Sequence, residues 1–130
     1  MKIISKSLDL SREEYFKKHL LIINPLLPVQ LTDKEAEVIA AFMTIESELG
    51  KFTFDTTGRK EVRKMLNLSH GGLGNYIRIL KDKGFLLEKD DELSILEILK
   101  PEKDIQGYQF KLKVKWYGFW SVGRRIFKRK

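Results

Sequence analysis

Residues 67–86 read NLSHGGLGNYIRILKDKGFL. The stretch packs a turn, a helix and the start of a strand into close order. Asn67-Leu68-Ser69 makes the turn, and the Ser69 hydroxyl is suited to accept from the free amides of a helix start. Behind it Leu73, Ile77 and Leu80 recur at i, i+4 and i+7, which places them on one face of a helix. His70, Gly71, Gly74, Asn75, Arg78 and Lys81 fall largely on the other face. Gly84 supplies the stop and Phe85-Leu86-Leu87 opens a strand. The glycines at 71, 72 and 74 should cost this helix about 1 kcal/mol each relative to alanine, so the use of that bare face is the central question.

Upstream, Ser11-Arg-Glu-Glu14 and Thr32-Asp-Lys-Glu35 are capping boxes, each of which opens a helix. The first helix carries Tyr15, Phe16, His19, Leu20 and Ile23 at helical spacing and stops at Asn24-Pro25. The prolines of PLLP then make an extended connector. The second helix turns Ile39, Phe42, Met43 and Leu49 inward and ends at Gly50. Phe52-Thr-Phe54 alternates as a short strand would. Arg59 to Leu66 is a short basic helix with Val62, Met65 and Leu66 pointing inward. Downstream, FLLEK is a strand, DDE a polar turn, and ILEIL a second strand or a helical turn ending before Pro101. The clearest alternation is Tyr108, Phe110, Leu112, Val114 and Trp116 against Gln109, Lys111, Lys113 and Lys115, which predicts a third strand.

A chain of 130 residues, 42% hydrophobic and 33% charged, fits one domain with an arm at either end. No apolar run is long enough to cross a membrane, and the N-terminus lacks the apolar core of an export signal. The absence of cysteine excludes disulfides and thiolate chemistry and suits a reducing compartment. The expected location is the cytoplasm. Charge is distributed in blocks. Residues 1–58 carry seven basic and nine acidic side chains, and residues 59–83 carry seven and two. Residues 84–110 carry three and seven, and residues 111–130 eight and none. Basic blocks of this kind attract polyanions, nucleic acid first among them.

The order helix, short strand, helix, turn, helix, strand, strand over Leu31 to Trp116 resembles a winged helix-turn-helix domain. The match lies in LTDKEAEVIAAFM, in RKEVRKMLNLS and in LGNYIRILKDKGFL, with LKDKGFL its most specific part. The resemblance is to small regulators and to replication proteins of plasmids and phages. It implies an α+β fold: a three-helix core and a small antiparallel β-sheet, here with an N-terminal helix and a basic C-terminal tail. The expected organisation is residues 1–30 as helix and connector, 31–116 as the winged-helix domain and 117–130 as the tail. It further implies that the face of His70, Gly71, Gly74, Asn75, Arg78 and Lys81 enters the major groove of double-stranded DNA. Asn75 suits adenine, and Arg78 suits guanine or phosphate. Arg59, Lys60, Arg63 and Lys64 would grip phosphates.

Two features depart from the family pattern. The glycines remove side chains that would read bases, although they let a backbone come close to a partner. The hairpin turn carries Glu88, Asp90, Asp91 and Glu92, where a DNA-touching wing is usually basic. Fold alone does not assign function, because winged helices also serve as protein-contact modules. The alternative is therefore an interaction or structural part of a larger assembly such as a phage particle, virion-associated, with the glycine face and tail meeting other subunits. In the tail, Phe119, Trp120, Val122, Ile126 and Phe127 stand among Arg124, Arg125, Lys128, Arg129 and Lys130. The expectation is that these aromatics pack on the domain or a neighbour and leave the charges to nucleic acid, rather than lie on a membrane. His19 and His70 stand far apart, so no metal site is expected. No phosphate loop, nucleophile elbow or catalytic carboxylate pair is present, so neither a cofactor nor enzyme activity is expected.

Overall fold

Both capping boxes form. Ser11 accepts from the Glu14 amide while Glu14 accepts from the Ser11 amide, which opens α1 (Arg12–Ile23). Thr32 and Glu35 repeat the arrangement at the start of α2 (Asp33–Leu49). This computed structural model describes residues 1–50 and 53–115. Within them, α3 (Thr56–Leu66) and α4 (His70–Asp82) follow, then an antiparallel hairpin of β1 (Leu86–Lys89) and β2 (Glu92–Ile95). Among the described residues the fold is α+β, four helices and a two-stranded sheet.

α2 is the centre of the molecule. Every residue from Val38 to Ile45 is buried, so this helix is enclosed rather than amphipathic. α1 covers one side of it and α3 and α4 the others, with Ala40 and Ala41 admitting close neighbours. Phe16 and Leu20 of α1, Val62 of α3, and Leu73, Ile77 and Leu80 of α4 complete the core. Phe42 stacks on Phe54 with ring centroids 4.4 Å apart. The connector between α1 and α2 is closed by Asn24, whose side-chain amide donates to the Leu31 carbonyl and accepts from the Leu31 amide.

The end of α4 is tied to the start of α2 through Lys83 and Glu35, 2.7 Å apart. Glu35 is only 4% exposed. Burial pushes its pKa up, but the hydrogen bonds from Lys83 and Thr32 outweigh this and hold the carboxyl below its ordinary value. Gly84, at φ 85, turns the chain out of α4. In the hairpin Leu86 faces Ile95 and Lys89 faces Glu92. Asp90 and Asp91 both take positive φ (53 and 62), as a two-residue turn between right-twisted strands requires.

Several local expectations are corrected. Residues 108–115 form no strand, and Trp116 and residues 117–130 lie outside the described residues. Alternation says that two faces differ; it does not say that a sheet edge lies within reach. Here the chain after Pro101 crosses to α1 instead. The Tyr15 hydroxyl donates to the Glu102 carbonyl, Arg12 pairs with Asp104 at 2.9 Å, and Tyr108 shares a hydrogen bond with His19. Of ILEIL, only Ile95 belongs to β2, and Glu97–Leu99 is a 3-10 turn that buries Leu99. Thr53 sits in a turn rather than in a strand, and Phe52 lies outside the described residues. α3 begins at Thr56, a few residues earlier than its basic run suggests, and Met65 faces solvent instead of the core.

His19 joins this C-terminal strap to the core. It is buried on α1, its Nδ1 bonded to the Tyr108 hydroxyl, while Nε2 meets no acceptor in hydrogen-bonding geometry. Burial lowers its pKa below the ordinary 6.5, and the Leu99 backbone offsets this only in part. Because the folded-state value is depressed, the neutral ring favours the folded protein. That contribution is complete above the unfolded value of about 6.5 and is lost as pH falls through the lower folded value. Urea denaturation between about pH 8 and pH 5 should therefore show stability falling below about 6.5. A His19→Gln variant should show a shallower decline in that window, and parallel curves for the two proteins would contradict this role.

Candidate nucleic-acid interface

The pair α3 and α4 forms as the local sequence dictates. Asn67 caps α3 in the left-handed region at φ 54, and its short polar side chain tolerates that conformation. Two residues later the Ser69 hydroxyl accepts from the Gly72 amide at 3.0 Å and opens α4. Leu73, Ile77 and Leu80 are buried, as their spacing predicts. His70, Gly71, Gly74, Asn75, Arg78 and Lys81 are all exposed on the opposite side.

The glycines differ among themselves. A Cβ built at Gly72 would come within 3.1 Å of the Ser69 hydroxyl, so this glycine serves the cap. At Gly71 and Gly74 a Cβ would meet nothing within 4 Å. Neither has a positive φ. Neither packing nor backbone conformation within the described residues asks for glycine at these two positions.

The polar side chains of this face are engaged locally. Arg78 donates to Asn75 Oδ1 at 2.6 Å and lies 3.7 Å from Asp82. Lys81 reaches across to Glu88 of the hairpin at 3.1 Å. Exposed pairs of this kind are worth no more than about 1 kcal/mol, so a phosphate or carboxylate from outside can compete for either cation. On α3, Lys60 and Lys64 are exposed, with Lys64 3.7 Å from Glu61. Arg59 and Arg63 are half-buried. Arg59 is held by its own fold, with Nε donating to the Phe54 carbonyl at 2.8 Å, and the Arg63 Nε is buried without a partner.

Arg59, Gly74, Arg78 and Lys81 line one groove of about 890 Å³ between the start of α3, α4 and the hairpin. Facing them are Glu46, Asp55, Glu88, Asp91 and Glu92, with Lys89 the remaining cation. The groove is therefore mixed in charge. His70, Gly71 and Asn75 stand outside it on α4, and Lys60, Arg63 and Lys64 stand outside it on α3. Arg124, Arg125, Lys128, Arg129 and Lys130 lie outside the described residues.

Sequence reasoning missed the carboxylates that answer the cations. Asp82 was legible, four residues after Arg78 on the same helix. The meeting of Lys81 with Glu88 was not, because it depends on how the hairpin folds back beside α4. Among the described residues no group of His, Cys, Asp and Glu is arranged to hold a metal ion, and no helix is long and apolar enough to cross a membrane. No family model matches the chain, and no curated protein or solved structure is detectably similar to it.

Open space above Gly74 gives a simple expectation. Gly74→Ala should raise the stability of the protein by about 0.5–1 kcal/mol, because alanine loses less backbone entropy in a helix interior. Thermal denaturation would register this as a higher Tm. A lower Tm would mean that glycine is needed there by the fold itself.

Proposed function

We propose that the chain is a non-enzymatic winged-helix protein that binds double-stranded DNA, a regulator or replication accessory of phage or plasmid type. In this reading α2, α3 and α4 form the three-helix core, α4 is the recognition helix and the β1–β2 hairpin is the wing. The observation that carries the reading is the pair Gly71 and Gly74 on the exposed face of α4. Each lowers helix propensity by about 1 kcal/mol, and nothing in the described fold requires either. A partner that approaches the α4 backbone closely supplies the missing reason, and a duplex backbone is such a partner. Asn75 and Arg78 lie just beyond the bare turns, exposed and hydrogen-bonded to each other along the surface of α4. Lys60 and Lys64 on α3 are further exposed cations.

The acidic hairpin favours a second reading, a protein-contact module of a larger assembly such as a phage particle. Glu88 already draws Lys81 away from a prospective phosphate, and Asp90, Asp91 and Glu92 repel one. Contact through α4 and α3, with the wing held off the duplex, reconciles that charge with the first reading. It also makes base discrimination weak and shape-based.

Binding of the full chain to random-sequence duplex DNA across a salt series tests the choice. Affinity should fall with salt, and Lys60→Ala together with Lys64→Ala should flatten the slope by about 0.9 for each phosphate no longer neutralised. Asn75→Ala and Arg78→Ala should weaken binding without moving Tm, since both side chains are exposed. Gly74→Ala should weaken binding while it stabilises the fold. Absence of salt-dependent binding, or indifference to all of these changes, would leave the protein-contact reading in possession of α4.

A further inference from the structure

Beyond Tyr108 the chain continues as Gln109-Phe-Lys-Leu-Lys-Val114 with neither helix nor strand. Phe110, Leu112 and Val114 are 67%, 98% and 90% exposed. Lys111 and Lys113 stand between them. Large apolar side chains at every second position, separated by lysines, are the pattern of a strand with one buried face. Here that face is bare.

The hairpin presents the complementary defect. Among the described residues β2 pairs with β1 alone, so its outer edge has no described strand partner for its backbone groups. The register places Leu86, Glu88, Leu93 and Ile95 on its inner face, beside α4, where Glu88 meets Lys81. Glu92 and Ser94 lie on its outer face. An antiparallel strand with Leu112 opposite Leu93 brings Phe110 opposite Ile95 and Lys113 opposite Glu92. Both apolar residues then extend the inner face, and a lysine meets a carboxylate across the outer one. Asp90 and Asp91 at the turn add to the attraction for Lys111 and Lys113.

We propose that residues 109–114 pair with the β2 edge of a second copy of this chain, each copy lending its strand to the other. Two observations select a second copy over the chain's own hairpin. Tyr108 is pinned to α1 through His19, and the apolar side chains that follow are left exposed rather than covered by the chain's own hairpin. A two-fold arrangement satisfies both strands and both edges at once and closes on itself. It also places Lys111 and Lys113 against the acidic turn and lowers its negative charge.

The sequence contains no cysteine, so introduced thiols are the only ones present. Full-length Leu112→Cys protein mixed with affinity-tagged full-length Leu93→Cys protein should, on mild oxidation, give a disulfide joining tagged to untagged chains. Sedimentation equilibrium of the unaltered chain should show a dimer. Lys113→Glu and Glu92→Lys should each weaken it, by about fivefold for each exchanged strand. Mixing these two variants should restore it, because one interface then carries the swapped pair and the other the native one. A monomer at every concentration would overturn the proposal. So would a disulfide that forms only within single chains carrying both cysteines, since the strand would then belong to its own hairpin.

Discussion

The enclosure of α2 is the constraint on which the other elements depend. A helix buried from Val38 to Ile45 on all sides cannot be completed by one neighbour. α1, α3 and α4 must each bring an apolar stripe to it, and they do so through Phe16 and Leu20, Val62, and Leu73, Ile77 and Leu80. Each fully buried leucine or isoleucine is worth roughly 1.5–3 kcal/mol, so the contacts around α2 outweigh the local costs elsewhere. Those costs include the glycines at the start of α4. The helix survives them because its second half is anchored by packing and its end is tied to α2 through Lys83 and Glu35.

This arrangement separates stability from contact. The half of α4 that faces α2 holds the fold together, while the half that faces outward contributes almost nothing to it. Asn75 and Arg78 can therefore answer to an outside partner with little penalty to folding, and the cost of Gly71 and Gly74 is one that the packed face offsets. Under the DNA reading that partner is a duplex whose backbone comes close to the bare turns. Under the same reading the acidic hairpin limits how deeply the duplex settles, and weak base reading would trace to a specific set of carboxylates.

Much of the fold was legible in the sequence because its signals were local. Capping boxes at Ser11 and Thr32, the turn beginning at Asn67, the Ser69 cap and the Gly84 stop each act over a few residues, and each forms. The inward face of α4 followed from spacing alone. What was not legible depends on distant partners. Residues 108–115 carry a strand's alternation, yet Tyr108 is captured by a buried histidine some ninety positions earlier, and no local pattern announces that. The same limit applies to the candidate interface. Its exposed residues were readable from helical periodicity, but the meeting of Lys81 with Glu88, and the retention of Arg59 by the Phe54 carbonyl, arise only when elements pack. The cations most available to a partner are accordingly fewer than the basic run of α3 implies.

The central claim is that the exposed face of α4 is a contact surface for duplex DNA. Backbone amide chemical shifts of the full-length protein, followed while a short duplex is added, test it residue by residue. The account predicts that the largest changes fall on His70 to Arg78 and on Lys60 and Lys64, with α1 and the strap at Glu102 and Asp104 unmoved. Changes confined to α1 or the strap, or a spectrum indifferent to the duplex, would contradict it.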